Sequence, residues 1–397
     1  MQKISKEGLI DFEKKIADLF EKGEIPYLIH LSGGNEEKLI DIFKNINEDD
    51  YIFSTHRNHY HYLLKGGSKE KLENFIMNGK SMFVFDKKLK FYSSSIVAAT
   101  PSIAAGVALA LKRKGSKSKV WCFIGDGAED NGHFYEAVKY VDGWDLPCVF
   151  IIEDNDRSVD SPKKERYGNS QFTWPNCVIR YEYIPTYPHS GTGKFVEIKK
   201  QPMIPENKYK TNNTDFNKNN KSKMKFKDAV KLAMENLAED KQVIFVGYNV
   251  LHGSAYGTLK DIPNNQRLET PLAENLMAGL AMGLSLESYK PVLFFERHDF
   301  ILNAIDAIFN QIDKISDISN GEFNFPIIIK AVVGSKKPLF AGITHTQDFS
   351  ELFKKFLFLD IYEPKSSQEV LDSYKNALLK GNPCMIIEKR ELYDQEL

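Results

Sequence analysis

Short apolar runs alternate with segments of helical period in the first half of the chain. Residues 120–124 and 147–152 are apolar runs of strand length, whereas residues 101–114 and 132–141 repeat their apolar positions at helical spacing. The resulting order of helix, strand, helix and strand is typical of a parallel sheet joined by right-handed crossovers. The pattern therefore predicts an α/β domain.

The same alternation resumes after a polar stretch rich in Asn and Lys. Predicted helices cover residues 227–237, 273–284, 302–315 and 367–379, and predicted strands cover 242–246, 291–295, 326–333 and 384–388. The polar stretch cannot bury a core and is typical of a linker. We therefore expect two doubly wound domains with mostly parallel sheets, at residues 1–205 and 226–397, joined by a linker at 206–225.

Composition narrows the possible partners. The 397 residues are 42% hydrophobic with a net charge of −1, which suits two sizeable cores and gives no electrostatic reason to expect nucleic acid or an anionic membrane as partner. No apolar run is long enough to span a bilayer, and the N-terminus lacks an apolar signal core. Of four cysteines, Cys122, Cys148 and Cys384 lie in strand-like runs, which favours buried, reduced thiols in a cytoplasmic protein.

A Gly-Asp-Gly motif stands where one strand should end and a helix begin. Gly125 and Gly127 allow the backbone to approach a phosphate, and Asp126 offers oxygen to a hard cation. Asn155 follows the next predicted strand, so it should lie near Asp126 at the ligand-binding edge of the sheet. Gly-Asp-Gly alone is common in turns; the asparagine at this spacing makes the pattern specific for a site that binds Mg²⁺ and a diphosphate.

This pattern resembles the signature of thiamine diphosphate enzymes, a family that includes transketolases, decarboxylases and 2-oxoacid dehydrogenases. The resemblance implies that Mg²⁺ is bound by Asp126, Asn155 and the backbone carbonyl of Arg157. It also implies that the diphosphate lies near Gly127 and Ala128.

The similarity extends through the first half to the alpha subunit of the decarboxylating component of 2-oxoacid dehydrogenases. Residues 51–66 resemble a family segment that contains Tyr-Arg-x-His, which implies Arg57 at the diphosphate and His59 beside the reacting carbon. The stretch with Ile96 and Val97 looks like the one whose backbone contacts the aminopyrimidine. His56, His61, His133 and His298 are further candidates without motif support.

The second half is similar to the beta subunit of the same component. Glu274, within Pro-Leu-Ala-Glu-Asn, corresponds to the glutamate that protonates a pyrimidine nitrogen. Phe300 matches an aromatic residue that stacks on the pyrimidine, and His345, in Thr-His-Thr-Gln, matches an active-site histidine. The resemblance implies a homodimer with its sites at the subunit interface.

Two departures from the family affect the expected reaction. Nothing like the family's third α/β domain follows the second half, and the loop after Asn155 lacks the usual motif. We therefore expect an enzyme that decarboxylates a small 2-oxo acid and ligates the fragment to an aldehyde. Acyl transfer to lipoamide is the second expectation, and transketolase-like transfer from a ketose is the third. A non-catalytic paralogue is the remaining alternative, against which the retained site residues argue.

Overall fold

The chain divides into two compact units. The computed structural model describes residues 4–159, 161–167, 172–202, 224–335 and 342–396. Unit 1 comprises residues 1–207 and 318–322, and unit 2 comprises residues 208–317 and 323–397. Residues 206–223 of the predicted linker lie outside the described ranges.

Unit 1 is built on a six-stranded sheet. Its helices are α1 (Lys6–Glu21), α2 (Glu36–Phe43), α3 (His59–Leu64), α4 (Lys69–Met77), α5 (Thr100–Arg113), α6 (Asp126–Glu129), α7 (Gly132–Gly143) and α8 (Lys163–Tyr167). Its strands are β1 (Tyr51–Ser54), β2 (Phe85–Asp86), β3 (Phe91–Ser93), β4 (Val120–Gly125), β5 (Cys148–Asp154), β6 (Arg157–Ser158), β7 (Ser161–Pro162) and β8 (Val178–Glu182). The main sheet has the order β2-β3-β1-β4-β5-β8, and β6 pairs with β7 as a small separate hairpin.

Parallel pairing determines which residues meet at the edge of this sheet. All neighbours in it are parallel except β2 and β3, which are antiparallel. β4 and β5 lie in the middle, and their register sets Gly125 opposite Glu153. The almost continuous burial of both strands agrees with their uninterrupted apolar sequences, because helices cover both faces of such sheets.

Unit 2 contains a second six-stranded sheet, in which every pair is parallel. Its strands are β9 (Val243–Gly247), β10 (Arg267–Glu269), β11 (Lys290–Phe295), β12 (Ile328–Val333), β13 (Asp360–Tyr362) and β14 (Cys384–Lys389), in the order β10-β9-β11-β12-β14-β13. Its helices are α9 (Phe226–Ala238), α10 (Glu274–Leu286), α11 (Ile315–Ile318), α12 (Ser350–Phe356) and α13 (Ser367–Lys380). Together the two sheets confirm the predicted fold class of two α/β domains with mostly parallel sheets.

One predicted helix is different in the structure. In place of a single helix at 302–315, the chain forms a 3₁₀ segment (His298–Ala304), a π-helical turn (Ala307–Ile312) and the short α11. The wider turn includes a bond from the Asp313 N–H to the Ile308 carbonyl. The carboxylate of buried Asp313 also accepts from the N–H groups of Phe358 and Leu359, at 2.8 Å each. These tertiary bonds outweigh the local preference for a regular helix.

Two sequence-based expectations concern burial. Within the described ranges, no helix combines the length and the apolar character needed to cross a bilayer. All four cysteines lie in those ranges and are free thiols, and Cys122, Cys148 and Cys384 are buried.

A buried ion pair lies in the sheet of unit 2. Lys330 on β12 places its Nζ 3.1 Å from Oε2 of Glu388 on β14, and both side chains are almost wholly buried. The hydroxyls of Tyr374 and Tyr393 donate to the same carboxylate. The Lys330 ammonium also lies 4.9 Å from the centre of the Phe294 ring. Because Glu388 is fully enclosed, its charge depends on these partners.

We expect Lys330→Met to destabilise the protein strongly. Removing one partner of a buried pair leaves the other charge uncompensated, at a cost of about 3–5 kcal/mol. Urea unfolding monitored by circular dichroism should show a clearly lowered midpoint. Lys375→Met, at an exposed position of α13, is the matched control and should change the midpoint little. Equal midpoints for the two variants would contradict the importance of the pair.

Candidate functional site

The carboxyl ends of four adjacent strands in unit 1 border one cleft, which we call the strand-end cleft. The segments that line it follow β1, β3, β4 and β5, and a further segment follows β8. Among the lining residues are Arg57, Ile96, Val97, Gly125, Asp126, Gly127, Ala128, Asn155 and Arg157. The predicted first-half site residues therefore come together in one place, as expected of a ligand site in an open parallel sheet, whereas His59 and the further candidate His133 do not line the cleft.

Asp126 is the most perturbed of these groups. It is the first residue of α6, directly after β4, and is 1% exposed. Burial and the nearby charge of Asp154 raise the pKa of Asp126 to about 6, against the opposing effect of Arg166. The guanidinium of Arg166 lies 2.7 Å from the Asp126 carboxylate. A desolvated carboxylate that retains its charge beside Asp154 requires a cation, and Arg166 provides one here.

Asp154, in contrast, is compensated by its own partners. Lys163 and Arg180 donate hydrogen bonds to its carboxylate, and Arg180 also pairs with Glu129. Although burial opposes it, these hydrogen bonds lower the pKa of Asp154. Asp154 therefore stays ionised, and its carboxylate is paired with Lys163 and Arg180. Asp126, which follows the neighbouring strand, lines the cleft.

Asn155 lies beside Asp126, as its position after β5 predicts. Its backbone lies close enough to the Asp126 carboxylate to oppose the rise in the pKa of Asp126. Its side-chain Oδ1 accepts the Arg157 N–H at 3.0 Å and so shapes the loop that follows. In that loop Asp156 and Val159 have left-handed backbone angles, with φ of 61° and 56°. For a β-branched residue such as Val159 this conformation is strained, and such strain is concentrated at functional sites.

Several buried polar atoms of the residues that line the strand-end cleft have no hydrogen-bond partner. The Nε of Arg57 is buried with no acceptor, although its Nη2 lies 3.3 Å from the carbonyls of Pro188 and His189. Ser32 Oγ and Asn35 Oδ1 are also buried without a partner. The unpartnered Nε–H of Arg57 is suited to a phosphate oxygen, and the Asp126 and Asn155 oxygens are suited to a hard cation. The donor set therefore fits a diphosphate held through Mg²⁺.

His59 does not line the strand-end cleft, so its place beside a reacting carbon stays a prediction. The ring is wholly buried at the start of α3. Its Nδ1 lies 2.9 Å from Oε1 of Glu13, and its Nε2 lies 2.9 Å from Oγ of Ser81. Both ring nitrogens are thus engaged by the core, because the first turn of α3 directs this side chain inward. His56 and His61 line the cleft instead.

The sequence prediction also missed several residues at the strand-end cleft. Glu153 at the end of β5 lines it and is bonded by Asn35 at 3.0 Å and by the hydroxyl of Tyr181. His61 lies 3.3 Å from the same carboxylate. Glu153 stands two residues before Asn155, so its position at a strand end was the available signal. Nothing in the local sequence marks Tyr181 as its partner.

In unit 2, Glu274 and Phe300 are joined through one segment. Glu274 is the first residue of α10 and is 9% exposed. Its carboxylate lies 3.3 Å from Nδ2 of Asn303, which belongs to the same 3₁₀ segment as Phe300. The rings of Phe300 and His345 meet edge to face, with their centroids 5.3 Å apart. Glu274 and His345 therefore both contact the 3₁₀ segment that contains Phe300.

Two unpredicted residues shape this second group. The hydroxyl of Tyr248 is buried without a partner, and the negative charge of Glu274 contributes to raising the pKa of Tyr248, after burial itself. Gly334 follows β12, and a Cβ added to it would lie 1.9 Å from the carbonyl oxygen of His345. Only glycine permits this close approach of the His345 loop to the sheet.

Comparison with known families assigns a family region to each half of the chain. Residues 6–173 match the family described as dehydrogenase E1 component, and residues 222–395 match the transketolase pyrimidine-binding domain. The two ranges together cover most of the chain.

Curated relatives resemble the first half. The alpha subunit of acetoin:2,6-dichlorophenolindophenol oxidoreductase from Bacillus subtilis is 34% identical over 154 residues, which cover 36% of this chain and 46% of that protein. The alpha subunit of the pyruvate dehydrogenase E1 component from Rickettsia bellii is 34% identical over 158 residues, or 37% of this chain and 48% of that protein. The chain thus spans about half the length of these relatives.

Solved transketolase structures share the fold. The enzyme from Campylobacter jejuni gives a TM-score of 0.69 at 13% identity, covering 97% of this chain and 79% of its own. The enzyme from Leishmania mexicana gives 0.68 at 12% identity, covering 98% and 78%. At this identity the similarity concerns the fold alone.

A structural role for His59 predicts a stability effect without a specific binding defect. His59→Leu removes both hydrogen bonds and leaves buried Glu13 without one of its donors, so we expect a loss of about 2–3 kcal/mol. Urea unfolding checks the loss. His252→Leu, at an exposed position, is the control and should leave the midpoint unchanged. A His59→Leu protein of normal stability would restore a direct role for this residue.

Proposed function

We propose that the chain is a thiamine diphosphate-dependent enzyme of the 2-oxoacid dehydrogenase E1 type, with alpha-like and beta-like regions on one polypeptide, and that it decarboxylates a 2-oxo acid. Mg²⁺ is the proposed metal, and an aldehyde is the proposed acceptor of the remaining fragment. The observation that carries the proposal is the meeting of Asp126 and Asn155 at neighbouring strand ends, in a cleft that the unpartnered Nε of Arg57 also lines.

The proposed cofactor contacts follow from the donors in each unit. Asp126, Asn155 and the Arg157 carbonyl hold Mg²⁺, and Arg57 donates to the diphosphate. The backbone of residues 125–128 lies along the diphosphate, and that of residues 96–97 along the aminopyrimidine. When bound, thiamine diphosphate supplies a carbon nucleophile and an electron sink for breaking a bond beside a carbonyl.

In unit 2, the proposed roles are proton transfer and stacking on the pyrimidine ring of the cofactor. Glu274 holds a proton at a pyrimidine nitrogen, and its near-complete burial keeps water from competing for that proton. Phe300 stacks on the pyrimidine, and His345, in contact with the Phe300 ring, exchanges a proton with the substrate oxygen. These roles are supported by the contacts of Glu274 and His345 with the 3₁₀ segment that contains Phe300.

A second candidate function is acyl transfer to lipoamide. The similarity of residues in the first half to a pyruvate dehydrogenase E1 alpha subunit supports it. Its chemistry shares the decarboxylation step with the first proposal and differs only in the acceptor.

A substrate panel separates these functions. The protein, loaded with thiamine diphosphate and Mg²⁺, is given 2-oxo acids and ketose phosphates, and CO₂ release is followed with and without an aldehyde or lipoamide. Stimulation by an aldehyde supports the first proposal and stimulation by lipoamide supports the second. Turnover of ketose phosphates without CO₂ would indicate ketol transfer. If neither CO₂ release nor cofactor binding is found, the enzymatic proposal fails.

Asp126→Ala should abolish Mg²⁺-dependent binding of thiamine diphosphate. The variant lacks the charged ligand, so we expect affinity to fall at least about 100-fold in calorimetric titrations, equivalent to about 2.7 kcal/mol. For the unmodified protein, affinity should decline as the pH falls through about 6, because protonated Asp126 cannot bind a cation. Asp142→Ala, at an exposed position of α7, should bind normally. Retained Mg²⁺ dependence in Asp126→Ala would refute the ligand assignment.

Glu274→Ala should separate binding from turnover. The variant loses the group that holds the pyrimidine proton, so we expect turnover to fall at least about 100-fold while cofactor affinity changes less than about tenfold. CO₂ release and calorimetry measure the two quantities. Glu239→Ala, at an exposed position after α9, serves as control. Substantial activity in Glu274→Ala would remove this residue from the proposed chemistry.

We further propose that the protein is a homodimer with equivalent cofactor sites at the subunit interface. The presence of both family regions on one polypeptide supports this arrangement. Light scattering during turnover measures the mass of the active species. A fully active monomer would contradict the dimer.

A further inference from the structure

Three histidines from distant parts of the sequence come together in unit 1. His30 precedes α2, His56 follows β1, and His189 follows β8. One ring nitrogen from each lies within 4.8 Å of the other two. The ring centroids of His30 and His56 are 4.5 Å apart, and those of His30 and His189 are 4.8 Å apart. Such convergence of three imidazoles has no role in the cofactor contacts proposed above.

The ring of His30 is held in a fixed orientation. It is 5% exposed, and its Nδ1 lies 2.7 Å from the carbonyl oxygen of His189. A carbonyl can only accept, so Nδ1 carries the hydrogen and Nε2 carries the lone pair. Histidines that bind metals are commonly oriented in this way, with one ring N–H donated to a backbone carbonyl.

The local environment keeps these imidazoles uncharged. Burial lowers the pKa of His30 to about 4, and the nearby His189 and Arg57 add to the effect. Burial likewise holds the pKa of His56 well below its ordinary value, with contributions from His30 and Arg57. Neutral imidazole is the form that binds a metal, so no proton has to be displaced from these two rings at neutral pH.

We propose that His30, His56 and His189 form a binding site for a transition-metal cation of the Zn²⁺ type. Imidazole nitrogen suits Zn²⁺ and Co²⁺, whereas Mg²⁺ prefers oxygen, so this site differs in chemistry from the one at Asp126. Three protein ligands leave a fourth position open. Because His56 and His189 line the strand-end cleft, that position is available to water or to an oxygen of a molecule in the cleft.

Small side-chain movements would complete the coordination. A tetrahedral centre with Zn–N bonds of about 2.0 Å holds its nitrogens about 3.3 Å apart. His30 is held by its hydrogen bond, while His56 and His189 are only partly buried. Arg57 donates to the carbonyls of Pro188 and His189, so its positive charge lies close to the three rings. That charge favours an anionic fourth ligand, such as hydroxide or a carboxylate.

Cobalt binding tests the site directly and without an activity assay. Protein without a histidine tag is treated with a chelator and titrated with Co²⁺ in the absence of thiamine diphosphate. We expect one Co²⁺ per chain, with the intense visible bands of a tetrahedral centre. Zn²⁺ should abolish the bands and an excess of Mg²⁺ should not. Zn²⁺ should also raise the temperature of thermal unfolding.

Two variants and a control assign the ligands. His56→Gln and His189→Gln should each weaken Co²⁺ binding at least about tenfold and lose the Zn²⁺-induced thermal shift. Both positions are partly exposed, so if one variant fails to fold, Co²⁺ affinity can still be measured with the other. His252→Gln, at an exposed position in unit 2, should behave like the unmodified protein. The absence of tetrahedral bands, or unchanged affinity in both folded variants, would overturn the proposal.

Discussion

The site in unit 1 depends on the parallel pairing of β4 with β5. Their register sets Gly125 opposite Glu153, so the residues that follow each strand emerge at the same edge. Asp126 and Asn155 thereby become neighbours, although a helix and a strand separate them in sequence. A slip of one residue would turn every side chain of one strand to the other face of the sheet. The apolar sequences of both strands prevent this, because such a slip would disturb a core that is buried on both faces.

This pairing also places two acidic side chains close together, and nearby cationic residues compensate their charges. It brings the two carboxylates close enough that the charge of Asp154 opposes ionisation of Asp126, within a poorly solvated region. Asp154 has Lys163 and Arg180 as partners and its pKa is lowered. Asp126 is paired with Arg166, and its pKa is raised to about 6 by burial and by the charge of Asp154. The imbalance leaves one carboxylate at the cleft whose charge a bound cation would stabilise.

The features that depend on where strands end could be predicted from the sequence alone. The fold class and the meeting of Asp126 with Asn155 follow from short apolar runs and the topology of parallel sheets. Side-chain direction was not predictable in the same way: His56 and His59 belong to one short segment, yet only the former lines the cleft, because α3 directs His59 toward Glu13. The meeting of His30 with His189 was also beyond local patterns, since it joins segments from opposite ends of unit 1.

Two groups of possible metal ligands with different chemistry therefore occur in unit 1. Around Asp126 and Asn155 the available ligands are oxygens, which favour hard cations such as Mg²⁺. Around His30 and His56 they are neutral nitrogens, which favour softer transition metals. The charge of Arg57 acts on His30 and His56, so it disfavours a bare divalent ion there and favours one that carries an anion. Ligand type would therefore direct Mg²⁺ to the oxygen ligands and a transition metal to the imidazoles. An anion bound to the transition metal would lie close to Arg57, which is also the proposed diphosphate contact.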